Sequence, residues 1–223
     1  MEKYVKGFWV QKNDYFFDMM SDSEFPLDGK LHDELLDLID IKNFRNCLDI
    51  GAHIGIWSKV LSKRFDNVYS FEPSKSNCYF FKKNLENTKN VFLNNYAIYD
   101  TDNAQVNITQ LVENNFGSYC LTESGYEKEF DVVTKKIDSL NLTNIDFIQL
   151  HTKGCEYQVL KGSEKTLMNF KPVLVFQIYD DQLKLFSSNS NEIINYLKAL
   201  GYKIYESNLF QKWGVKYKIG INS

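Results

Sequence analysis

Apolar residues along this chain fall into short blocks whose period changes from one block to the next. Leu31, Leu35, Leu36, Leu38 and Ile39 recur at the spacing of a helix with one buried face, over Leu31 to Ile41. Beyond them, strand-like and helix-like stretches take turns. The pattern predicts strands near 46–50, 67–72, 90–95, 145–150 and 172–178, and helices near 54–65, 74–85, 155–169 and 190–200. Pro73 suits the first turn of its helix, where no amide hydrogen is required. Such alternation implies parallel pairing through right-handed crossovers, hence an α/β fold with an open, mostly parallel sheet and helices on both faces. Gly201 to Asn222 reads instead as two strands joined by a loop, which gives the sheet an antiparallel C-terminal edge.

Two stretches break the alternation. Residues 1–29 are rich in aromatics, and Phe8-Trp-Val, then Lys12-Asn-Asp, then Tyr15-Phe-Phe predict a hairpin that forms a flap ahead of a main domain at 30–223. Between about 104 and 137, Gln105-Val-Asn-Ile-Thr, Gly117-Ser-Tyr-Cys-Leu and Phe130-Asp-Val-Val-Thr predict a β-rich insertion beside the ligand-binding mouth, a candidate acceptor lid.

With 223 residues, 43% of them hydrophobic, one α/β domain with a sizeable core is the economical reading. A formal net charge of -3 argues against general nucleic-acid or membrane-surface binding. Cys47, Cys78, Cys120 and Cys155 lack zinc-like spacing, and no N-terminal apolar run resembles a signal peptide or membrane span; the chain reads as cytoplasmic, with reduced thiols.

Candidate chemistry concentrates in Leu48-Asp-Ile-Gly-Ala-His-Ile-Gly55, a strand that ends in an acid and runs through a two-glycine turn into a helix. Gly51 and Gly55 let the backbone turn sharply and approach a ligand, and the helix start offers free amide hydrogens. About 20 residues further on, at the spacing of a ribose-binding acid, Glu72 ends the second strand in Ser70-Phe-Glu-Pro73. The pair points to an adenosine cofactor. The turn lacks the three-glycine spacing of a dinucleotide site and has Asp49 before its first glycine, so S-adenosylmethionine fits better than NAD, and a nucleotide-dependent oxidoreductase is disfavoured.

Four segments, in this order, resemble the FkbM-type S-adenosylmethionine-dependent methyltransferases over about residues 45–180: the glycine turn; Val68-Tyr-Ser-Phe-Glu-Pro73; Asn90-Val-Phe-Leu-Asn-Asn-Tyr-Ala-Ile98; and Ile145-Asp-Phe-Ile-Gln-Leu-His-Thr-Lys-Gly-Cys-Glu156 with Val159-Leu-Lys-Gly162. The resemblance implies a Rossmann-like sheet in which Asp49, Gly51, Ala52, His53 and Gly55 hold the methionine end. It further implies that Glu72, with Pro73 and Ser74, takes both ribose hydroxyls, and that Asn95 and Ala97 border the adenine. The implied activity is O-methylation of a hydroxyl on a glycan or small molecule.

The departures from that pattern matter as much. Where the family usually reads Lys-Ile-Asp-Val-Glu-Gly, this chain has Gln149-Leu-His-Thr-Lys-Gly154, so His151 and Lys153 replace two acids; Gln177 replaces a third, and His53 stands where asparagine is common. His151, Lys153 and Glu156 are the catalytic candidates, with the imidazole of His151 in the role of base. His53 and His151 are expected side by side, with Cys155 and Asp180 near, but their spacing is no recognised ligand motif and no metal is expected. Lys153 reads either as a counter-charge for an anionic acceptor or as a solvated lysine, and Cys155 as an inert thiol. The alternative reading is a methyltransferase-like binding or assembly protein that keeps the cofactor fold without turnover.

Overall fold

The computed structural model describes residues 2–21, 29–122, 130–213 and 215–222. The chain opens with a hairpin, β1 (Glu2–Val5) and β2 (Phe8–Gln11), then α1 (Tyr15–Ser21) and α2 (Lys30–Asp37). The first half of the main sheet follows as β3 (Asn46–Ile50), α3 (Ile56–Leu61), β4 (Asn67–Phe71), α4 (Lys75–Asn84) and β5 (Val91–Asn94). An excursion contains β6 (Ala97–Ile98), β7 (Gln105–Gln110), β8 (Tyr119–Thr122) and β9 (Phe130–Lys135). The second half is β10 (Ile145–Leu150), α5 (Glu156–Lys161), α6 (Glu164–Phe170), β11 (Val173–Phe176), α7 (Asp180–Leu183), α8 (Ser190–Ala199), β12 (Tyr202–Ser207) and β13 (Tyr217–Asn222).

Seven strands form the main sheet in the order β12-β13-β11-β10-β3-β4-β5. The run from β11 to β5 is parallel, while β13 pairs antiparallel with β11 and β12 with β13, so the edge expected from Gly201 onward is there. Period-two alternation sorts the side chains between two cores. Cys47, Phe147, Val173 and Val175 join α2, α3 and the N-terminal segment on one face. Leu48, Ile50, Ile148, Leu150, Leu174 and Phe176 pack with α5, α6 and α8 on the other. Each such side chain, fully buried, is worth about 1.5–3 kcal/mol of transfer free energy.

The N-terminal hairpin turns at Lys6-Gly7, both with positive φ, rather than at Lys12–Asp14. The reason is a helix cap: the Asp14 carboxylate accepts the amide hydrogens of Phe16 (3.0 Å) and Phe17 (3.4 Å), which starts α1 where an aromatic strand was expected. Phe8, Val10 and Phe17 are buried in the same core as β3 and β10, so this segment is anchored rather than free-standing. The expected boundary at 29/30 adjoins residues 22–28, outside the described residues. The insertion forms a sheet of order β6-β9-β7-β8; its residues 123–129 also lie outside them. The helix expected at 155–169 is two helices, broken at Gly162, where a Cβ would lie 2.1 Å from the Tyr99 carbonyl oxygen.

Candidate functional site

The carboxyl ends of β3, β4 and β10 are tied together by backbone bonds. The Phe71 carbonyl accepts from Gly51 N and Ala52 N, both at 3.0 Å, and the Ile50 carbonyl accepts from His151 N at 2.9 Å. This tight junction requires glycine at 51: its φ is +84°, and a Cβ there would sit 2.0 Å from the His151 carbonyl oxygen. His53 and Lys153 also take left-handed backbone, at φ 51° and 58°, on the two loops that meet here. Non-glycine residues hold such conformations where the surroundings over-determine them.

These loops form one edge of a cavity of about 290 Å³. Of the expected cofactor residues, Gly51, Ala52, His53, Glu72, Pro73 and Ala97 line it. Asp49, Gly55, Ser74 and Asn95 do not, and the structure gives each a supporting position behind the wall. Asp49 is fully buried and accepts the Ser58 hydroxyl; burial raises its pKa to about 7. Gly55 starts α3 with φ +92°, where a Cβ would meet Leu85. Ser74 caps α4. Asn95 donates through its amide to the carbonyls of Glu72 and Pro73, both at 2.9 Å, so it fixes the acid's loop instead of bordering adenine.

Glu72 itself is 5% exposed and already well partnered. One carboxylate oxygen accepts His53 N at 2.8 Å; the other accepts Ser74 N at 2.9 Å and the Asn77 amide at 3.3 Å. A carboxylate offers about four lone-pair directions, so roughly one remains for a ligand hydroxyl, against the two expected. Burial raises the pKa of Glu72, and these hydrogen bonds oppose the rise. Asn77 also donates to the Phe116 carbonyl at 3.1 Å, which ties Glu72 to the insertion. Here the insertion roofs the cavity through Asn115, Phe116 and Gly117, together with Phe16 of α1. The two roof pieces join through Tyr15 N and the Asn114 carbonyl at 2.7 Å.

His53, His151 and Lys153 line the cavity too, His53 being joined to Glu72 through its backbone amide. Burial, then the Lys153 charge, pushes His53 down to about 3 and His151 well below its ordinary value. Both imidazoles are therefore neutral at physiological pH, and a base titrating near 6.5 at position 151 is not what the structure provides. The Nε2 atoms of both rings, and Oε1 of Gln149, are buried without a hydrogen-bond partner. Lys153 is half-buried, makes no hydrogen bond or ion pair among the described residues, and burial lowers its pKa despite the charges of Glu156 and Asp181; the solvated-lysine reading does not hold.

Glu156 is not a lining residue. Its carboxylate accepts Thr152 N (2.8 Å) and Gly154 N (2.9 Å), so it shapes the loop that presents His151 and Lys153. Asp180 is turned away to Ser190, and Cys155 is a buried thiol with its pKa pushed up by burial. Among the described residues no three His, Cys, Asp or Glu side chains group to hold a metal ion.

Beyond the histidines the cavity continues into a chamber that sequence reasoning missed, walled by Trp57, Tyr179, Phe210 and Tyr217 with Gln149 and Gln177. Trp57 Nε1 donates to the Tyr217 hydroxyl at 3.2 Å. Gln149, a polar residue inside the apolar run Ile145-Asp-Phe-Ile-Gln-Leu150, was the one available signal.

An open parallel sheet with a glycine turn, a buried acid on the next strand and a cavity at the carboxyl edge defines a Rossmann-like domain of the nucleoside-cofactor class. The Methyltransferase FkbM domain family matches residues 49–204, and the chain belongs to that family of S-adenosylmethionine-dependent methyltransferases. No curated protein matches. Among solved structures the fold is similar to a methyltransferase FkbM from Methylobacillus flagellatus, with TM-score 0.55 and 17% identity over 80% of this chain; this chain spans only 44% of that one. It is also similar to a putative methyltransferase from Streptococcus mutans in complex with SAH, with TM-score 0.51 and 14% identity over 87% of this chain and 97% of that one. A fibrillarin/Nop5p complex gives TM-score 0.56 at 13% identity, over 99% and 96%. At these identities the likeness is one of fold.

Proposed function

We propose that this chain is an O-methyltransferase that takes a small molecule, or a single glycan unit, into its cavity and moves the methyl group of S-adenosylmethionine to an oxygen, a hydroxyl being the acceptor that the family resemblance implies. The observation that carries the proposal is one continuous cavity running from Glu72, past the glycine turn, to the aromatic chamber. In-line transfer gains most of its rate from alignment, and such a cavity holds donor and acceptor in fixed relation. Glu72 and the backbone of Gly51, Ala52 and His53 would hold the nucleoside end, with Pro73 and Ala97 against it. The bound cofactor supplies an electrophilic methyl group. His151 sits at the junction as a neutral hydrogen-bonding group, Lys153 beside it as a charge, and Glu156 fixes the loop that carries both. No helix among the described residues is long and apolar enough to cross a membrane. The four cysteines are all free and buried, which supports the cytoplasm as the place of action.

A second reading, a binding protein without turnover, draws support from the lining: among the described residues Glu72 is its one carboxylate, at the end away from the acceptor chamber. One experiment separates the readings. Calorimetry is expected to give binding of S-adenosylmethionine and S-adenosylhomocysteine but not of NAD, and labelled methyl is expected to pass to an oxygen acceptor. Binding without transfer to any acceptor offered supports the second reading; NAD binding in place of S-adenosylmethionine sinks both.

A further inference from the structure

Among the described residues, Nε2 of His53 and of His151, Oε1 of Gln149 and Oγ1 of Thr152 are buried without partners and the half-buried Lys153 ammonium has no ion pair; all five residues line the cavity where the loops after β3 and β10 meet. Buried polar atoms in folded chains are nearly always satisfied, so a group of orphans on a cavity wall marks the place of a ligand. The chemistry of the corner says which kind. Lys153 offers up to three N–H donors and no acceptor, and a neutral imidazole in its Nε2–H tautomer offers one. Among the described lining residues the only carboxylate is Glu72, and its oxygens are already engaged by the amide hydrogens of His53 and Ser74 and by the Asn77 side chain.

We propose that the acceptor oxygen belongs to a carboxylate, held by Lys153, His53 and His151, and that the product is a methyl ester. This rests on the transfer to oxygen proposed above and changes only the acceptor oxygen, from a neutral hydroxyl to an anionic one. The step balances without a proton. A lone pair of the carboxylate oxygen forms the new O–CH3 bond, the S–CH3 bond breaks with its electron pair left on sulfur, and the carboxylate and sulfonium charges disappear together. A hydroxyl acceptor needs a base as its oxygen becomes nucleophilic; a carboxylate is already ionised at neutral pH. The three positions at which this chain departs from the acidic pattern then make one change. Acids at 151, 153 and 177 would repel an anionic acceptor, whereas His151, Lys153 and Gln177 do not. The chamber behind the corner, walled by Trp57, Phe210 and Tyr217, suits a flat apolar ring attached to that carboxylate.

The test compares benzoate with benzyl alcohol, which share a ring and differ in the oxygen group, by calorimetry on protein already loaded with S-adenosylhomocysteine. Benzoate is expected to bind at least about tenfold tighter than the alcohol, and Lys153→Gln to weaken benzoate about tenfold while changing benzyl alcohol little. Equal affinities, tighter alcohol binding, or no benzoate binding in the wild-type protein overturns the proposal, and this comparison needs no variant to fold. So does a folded Lys153→Gln protein that binds benzoate as well as the wild type. Failure of S-adenosylhomocysteine to bind in the loading step counts against the cofactor reading instead, so the two failures are distinct.

Discussion

At the Glu72 end of the cavity, three donors from the chain already fill most of one carboxylate's capacity, whereas at the His151 end, reached through His53, the Nε2 atoms of His53 and His151 and the Lys153 ammonium have no partner among the described residues. The first end is rigid before any ligand arrives, and its one spare lone-pair direction selects by position. The second is costly as it stands, since each buried polar atom without a partner forgoes about 1–3 kcal/mol, and a ligand that satisfies it recovers that cost on binding. On the function proposed above, the first end would hold the donor and the second the acceptor, the division that differential stabilisation of a reacting complex calls for.

The largest effect is expected where the two ends touch. Gly51→Ala places a Cβ 2.0 Å from the His151 carbonyl oxygen, a backbone atom that cannot step aside without moving β10. Urea melts should show a loss of at least about 2 kcal/mol, and calorimetry a cofactor affinity weaker by roughly 100-fold. Wild-type values for both would break the picture of a single junction. Next, Glu72→Ala removes one charge-assisted ligand bond and strands the amide hydrogens of His53 and Ser74. A cofactor affinity reduced about 10- to 50-fold is expected, together with a smaller fall in benzoate binding, because the loop that loses its bond carries His53. An equal fall in both would mean that the two ends are not separate.

The smallest effect on ligand binding is expected at the acid behind the turn, which acts on stability. Folded Asp49 keeps its proton up to about pH 7 because burial penalises the charge, while the unfolded chain releases it near 3.8. Between these values the folded state binds more protons, so stability falls as pH rises and levels off above about 7. Asp14, raised to about 6 by burial, acts in the same direction. Asp49→Asn should therefore reduce the loss of stability between pH 5 and pH 8 by roughly 2–3 kcal/mol in urea melts. An undiminished loss in the variant would clear Asp49 of that role.

The sheet was legible in the chain because period-two blocks such as Cys47-Leu48 and Val173-Leu174 serve a core on each face. The glycine turn was legible because backbone geometry demands glycine at 51 and 55. What escaped depended on side chains meeting from far apart. Tyr15-Phe-Phe has the composition of a strand, and only the capping bond from Asp14 makes it helical. Asn95 stands where a ligand contact was expected, yet its amide is spent on two carbonyls. Glu156 looks catalytic in sequence beside His151 and Lys153, and only the fold reveals that both its oxygens face its own loop. The aromatic chamber draws Trp57, Tyr179, Phe210 and Tyr217 from three separate parts of the chain, and no local period encodes such a meeting.

The Asn77 amide bridges Glu72 and the Phe116 carbonyl of the roof. Seating a nucleoside and closing the roof therefore draw on one side chain, and any free energy that couples them is reciprocal. Whatever factor the Asn77 tie to the roof adds to the affinity of a ligand at Glu72, that ligand adds in equal measure to the equilibrium constant for forming the tie.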